Sequence, residues 1–74
     1  MKKYKYIEMM ELKFKVKNKP AYGVYSLKTQ DILGMIEYYP PWRRFVFSAD
    51  EGAVFDSVCM DNIADFLKNH AGKE

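Results

Sequence analysis

The stretch Ile32-Leu33-Gly34-Met35-Ile36-Glu37-Tyr38-Tyr39-Pro40-Pro41-Trp42-Arg43-Arg44-Phe45-Val46-Phe47 decides the fold of this chain. Its flanks are rich in aliphatic and aromatic residues that suit a pleated, half-buried surface. Its centre is a proline pair, which has no N–H to continue a ladder. The segment therefore reads as two strands, Ile32–Tyr39 and Arg43–Ser48, closed by a rigid aromatic turn. Alternation predicts that Ile32, Gly34, Ile36 and Tyr38 share one face of the first strand, with Leu33, Met35, Glu37 and Tyr39 on the other. In the second strand Arg43, Phe45 and Phe47 oppose Arg44, Val46 and Ser48.

Towards the N-terminus, Glu11 to Lys17 alternates with period two. Leu12, Phe14 and Val16 point one way, and Lys13, Lys15 and Lys17 the other, as in a half-buried strand. Asn18-Lys19-Pro20 is a turn signal. Ala21 to Leu27, with Tyr22, Val24 and Tyr25, is a further strand, and Lys28-Thr29-Gln30-Asp31 a polar hairpin loop. Residues 1–10 are expected to form a loosely held arm, leaving residues 11–72 as the single domain. Towards the C-terminus, Ala49-Asp50-Glu51-Gly52 is a turn, followed by a short strand at Ala53-Val54-Phe55. The period then changes. Cys59, Ile63, Phe66, Leu67 and His70 fall on one stripe of a helix, with Asp56 or Ser57 placed to cap its start and Gly72 to end it. The expected fold is α+β: an antiparallel β-meander of four to five strands with one C-terminal α-helix packed on one face.

Seventy-four residues make one small domain. An apolar fraction of 49% with 16% aromatics is enough to build a core, which argues against disorder. One cysteine permits no intrachain disulfide. With no apolar leader after the basic start and no run long enough to span a bilayer, the cytoplasm is the expected location. Charge is unevenly spread: residues 1–28 carry +6 and residues 29–74 carry −4.

The set Leu33-Gly34-x-Ile36-x-Tyr38-Tyr39, Trp42-Arg43-Arg44-Phe45-x-Phe47, Val54-Phe55-Asp56 and Cys59-Met60-x-x-Ile63-x-x-Phe66-Leu67 resembles a small domain of uncharacterised bacterial and phage-borne proteins. Members of that group typically read Leu-Gly-x-Ile-x-Trp-Tyr, Trp-Arg-x-Tyr-x-Phe and a closing Cys-Leu-x-x-Ile-x-x-Phe helix. This chain differs in having Tyr38, Phe45 and Met60 where Trp, Tyr and Leu are usual. The resemblance implies a fold and carries no activity.

Catalysis has little to draw on. Cys59 and His70 lie eleven residues apart on one predicted helix, about 16 Å at 1.5 Å per residue, beyond the reach of a nucleophile and its base. No catalytic residue, metal site, cofactor or small-molecule substrate is expected. Two surfaces stand out instead. If Ile36 and Phe45 face the helix, the far face of the sheet presents Met35, Tyr39 and Val46, flanked by Trp42, Arg43 and Arg44. Such a patch suits a protein partner or self-association as a homodimer, and an adaptor, an assembly subunit or a phage-encoded modulator would each use it. The second surface is basic. Lys13, Lys15 and Lys17, with Trp42-Arg43-Arg44, suit phosphates and stacked bases; lysines on a strand equally guard an edge against aggregation. The leading expectation is a non-catalytic protein-interaction module, and the alternative is a small nucleic-acid-binding domain. No membrane association is expected.

Overall fold

The computed structural model describes residues 2–73. Five strands, β1 (Lys2–Lys3), β2 (Ile7–Val16), β3 (Lys19–Ser26), β4 (Ile32–Tyr39) and β5 (Arg44–Ala49), precede one helix, α1 (Ser57–Asn69). The strands lie side by side in chain order, and each neighbouring pair is antiparallel. The helix packs on one face of the sheet, closest to β5. This is the α+β meander that the alternating pattern predicts.

Local chemistry sets each reversal. Lys17 and Asn18 form the two-residue turn between β2 and β3, both with positive φ (53° and 63°), the conformation that matches the twist of the flanking strands. The turn thus lies one residue earlier than the Asn-Lys-Pro signal suggests, and Pro20 falls inside β3, paired with Lys15 near the strand's start. Between β3 and β4, the Ser26 hydroxyl accepts the N–H groups of Lys28 and Thr29, both at 3.2 Å. Between β4 and β5, Arg43 adopts φ 56° and donates its N–H to the Tyr39 carbonyl at 2.9 Å. Arg43 therefore belongs to the turn, not to the strand expected to start there.

The face under the helix is the core. Ile7, Met9, Tyr22, Val24 and Ile36 from the sheet meet Ile63, Phe66 and Ala71, with Phe45, Phe47, Phe55, Cys59 and Leu67 packed around them. Tyr22 and Phe66 meet edge to face with centroids 4.8 Å apart. Asp56 caps the helix, its carboxylate accepting the Cys59 N–H at 2.9 Å. At the other end Gly72, at φ 75°, donates its N–H to the buried Tyr22 hydroxyl at 2.9 Å. A side chain there would strike the Phe45 ring, so both conformation and space call for glycine.

Four expectations need correction. Residues 2–10 are no loose arm, because they hold β1 and the start of β2, and Ile7 and Met9 are 1% and 0% exposed. The apolar residues of the cleanest alternation are not the core of β2: Phe14 is 46% exposed, and Leu12 and Val16 are half-buried. A register shift between Glu11 and Lys15 carries this end of the hairpin away from the buried rows. The fifth strand is β1, since Ala53–Phe55 is irregular. In β4, a register shift at Val24/Tyr25 turns Leu33 to the core and leaves Ile32 exposed.

Candidate interaction surface

Past that irregularity the alternation holds, and it sorts the side chains of β4 and β5. Ile36 pairs with Phe47 and Tyr38 with Phe45 on the helix side. Met35 pairs with Ser48, Glu37 with Val46, and Tyr39 with Arg44 on the open side. Met35 and Val46 are half-buried there, while Tyr39 is 42% exposed. Met10 continues the apolar row: it pairs with Gly23, which pairs with Met35. The ring of Tyr25 folds over Gly23 and covers part of this face. The structure thus brings Met35, Tyr39 and Val46 to one face. It places Tyr39 directly opposite Arg44 at the end of that face.

Trp42 stands at the tip of the β4–β5 turn, 64% exposed, its ring edge to face with Tyr39 at 5.3 Å. An aromatic side chain that already packs against a neighbouring ring has fewer rotamers to lose on docking, which favours such residues as interface anchors. Trp42 also borders a hollow of about 440 Å³ between β5 and α1, with Phe45, Phe47, Met60, Ile63 and Leu67. A wider concavity of about 630 Å³ lies on the open face, where Lys3, Glu8, Glu11 and Lys13 surround Met10, Leu12 and Tyr25.

The lysines are arranged differently from the expectation. Lys13, Lys15 and Lys17 are all exposed. The register shift after Glu11 and the left-handed turn at Lys17 break them off a single straight strand face. Topology gathers the basic groups another way. β3 leaves the Lys17–Asn18 turn and β4 returns to it, so the β4–β5 turn emerges at the same end of the sheet. Lys15, Lys17, Lys19, Arg43 and Arg44 share that end, and Lys19 sits over the Tyr38 ring at 5.1 Å. Asp50 and Glu51 follow β5 at the opposite end.

One cluster left little trace in the sequence. The Tyr4 hydroxyl donates to Asp65 Oδ2 at 2.7 Å, the Asn69 amide donates to Asp65 Oδ1 at 2.8 Å, and His70 Nε2 lies 3.6 Å from Oδ2. The Tyr4 hydroxyl, followed by the Asn69 amide, holds the Asp65 carboxyl below its ordinary pKa. Partial burial, then the bond to Asp65, pushes Tyr4 well above the usual phenol range. His70 also lies against Phe66 at 5.7 Å. Sixty-one residues separate Tyr4 from Asp65, so no local spacing could reveal the pair. The Asp65–Asn69 step of one helical turn was the only signal in the sequence. The arrangement ties the N-terminal segment to the helix.

Cys59 is half-buried, and burial, followed by the nearby Asp56 carboxylate, raises its thiol pKa. A raised pKa suppresses the thiolate and with it nucleophilic reactivity. Among the described residues no group of three or more His, Cys, Asp or Glu side chains could hold a metal ion, and no helix is long and apolar enough to cross a membrane. Neither a family model, a curated protein nor a solved structure matches this chain.

Proposed function

We propose that this chain is a small, non-catalytic protein-interaction module, acting in a reducing, cytoplasmic setting. One observation carries the reading: exposed Tyr39, with Trp42 edge to face against it, lies beside a half-buried apolar row of Met35 and Val46 on the sheet face that the helix leaves uncovered. Apolar and aromatic surface held in fixed geometry is what a protein partner desolvates at low entropic cost. Arg43 and Arg44 supply a charged rim. An adaptor, a subunit of an assembly or a phage-encoded modulator would all use such a surface.

The basic end supports a second reading, a nucleic-acid-binding domain with Trp42 as a stacking platform. One set of variants separates the two. Tyr39→Ala should abolish capture of the protein partner, while replacing Lys15, Lys17 and Lys19 together by Gln leaves it unchanged. Micromolar binding to single- or double-stranded nucleic acid at physiological salt, lost on lysine replacement with a salt slope flattened by up to ~3, would overturn the interaction reading.

A further inference from the structure

We infer that β5 pairs antiparallel with β5 of a second copy of this chain, extending the two meanders into one continuous sheet. The inference rests on the interaction reading above and names the partner. β5 is an edge strand, with β4 as its neighbour. The Asp50 N–H donates to the Leu33 carbonyl at 2.9 Å, which fixes the phase of the β4–β5 ladder. By the two-residue repeat, the N–H and C=O groups of Arg44, Val46 and Ser48 then face β4, and those of Phe45, Phe47 and Ala49 face outward.

The two edges of the sheet are built differently. At the other edge, β1 covers only Glu8 and Met9, and the rest of β2 carries Glu11, Lys13 and Lys15 with a register shift between Glu11 and Lys15. Charge and irregularity are the usual guards against edge pairing. From Arg44 to Ala49 the second edge has no lysine, no proline and an unbroken register with β4.

Charge selects a second copy as the occupant. An exposed arginine, Arg44, opens β5, and an exposed aspartate, Asp50, follows it. Setting Phe47 against Phe47 of a second copy places Phe45 opposite Ala49 and Arg44 opposite Asp50 at both ends of the pairing. Each residue with outward backbone groups then meets another of the same kind, as an antiparallel ladder requires. The β4–β5 turn of one copy, with Arg43, meets the Asp50-Glu51 turn of the other. The strand is complementary to its own reverse. The apolar hollow between β5 and α1 lies beside this edge, with Met60 52% exposed at its rim.

Analytical ultracentrifugation across micromolar concentrations tests the pairing. The wild-type chain should sediment as a dimer. Arg44→Glu and Asp50→Arg, both at exposed positions, should each weaken self-association roughly tenfold or more, because each sets like charges opposite each other at both junctions. Mixing the two variants should restore a dimer, since every junction again carries opposite charges. Ala49→Pro should abolish pairing while the β4–β5 ladder stays intact, as it removes a donor that faces outward. Amide exchange at Phe45 and Phe47 reports on that ladder's edge and should quicken on dilution. A monomeric wild-type chain overturns the pairing. So does a dimer that survives both Arg44→Glu and Ala49→Pro; if Tyr39→Ala disrupts it, the open face is the contact and the interaction reading stands.

Discussion

At Gly34, a residue poorly suited to strands occupies the middle of the sheet. A Cβ there would press on the Ser48 carbonyl and lie 2.7 Å from the Phe47 ring, while Phe47 is itself wedged against Phe55 at 5.3 Å. Backbone on one side and a packed ring on the other leave little to yield. Gly34→Val should therefore destabilise by about 1–3 kcal/mol, the usual cost of overpacking, although valine is the better strand former. Urea melts measure it, and an unchanged or raised midpoint would show that the neighbours relax. Glycine in a strand already signals a close approach from sequence alone. Arg43 gave no such signal: arginine rarely takes positive φ, and only the geometry of the proline-led turn accounts for it.

The helix shows how a single exposed group governs an element. Its first turn has no acidic side chain besides the cap at Asp56, and the Cys59 N–H lowers the Asp56 pKa. A lowered carboxylate pKa means that the capping contribution is complete above the ordinary Asp range and is lost as pH falls through the folded-state value. Asp56→Ala should lower Tm by ~4–8 °C at neutral pH, the shift typical of a lost cap in a domain this small. The deficit should narrow in acid, which calorimetry at several pH values would register. This cap and the stripe of Ile63, Phe66 and Leu67 were legible in the sequence, because helix signals are local. The strands of the long hairpin were less so. Leu12, Phe14 and Val16 alternate more cleanly than Ile7 and Met9, yet the latter are buried, because alternation marks a two-faced strand without saying which part the helix covers. Leu33 and Ile32 exchanged faces for a related reason: a bulge resets the phase and leaves no mark in composition.

At the scale of the whole molecule, hydroxyls join distant parts of the chain, Tyr22 to Gly72 and Tyr4 to Asp65. The second tie is exposed to pH from both sides. The lowered Asp65 pKa makes its contribution complete above the ordinary carboxylate range and lost as pH falls through the folded value. The raised Tyr4 pKa makes its contribution complete below the usual phenol range and lost as pH rises through the folded value. Tyr4→Phe should cost about 1 kcal/mol near neutrality, the worth of a typical hydrogen bond, and should flatten the stability profile at both ends. A variant with a profile parallel to wild type would mean that the pair contributes nothing to folding. The candidate surface was partly legible: Met35, Tyr39 and Val46 follow from one parity, whereas the basic end follows from how the hairpins are laid side by side.

The sheet in chain order has a consequence for synthesis. Every strand pairs with the one made just before it, so the hairpins can close from local contacts as the polypeptide emerges, without waiting for distant sequence. The helix that covers Ile7, Met9, Tyr22 and Ile36 is made after all five strands. Until Phe66 clears the ribosome, the nascent sheet carries bare apolar surface on the side destined to be its interior. A translational pause or a truncation ahead of residue 66 would therefore expose an aggregation-prone intermediate that the folded domain, with its helix in place, does not show.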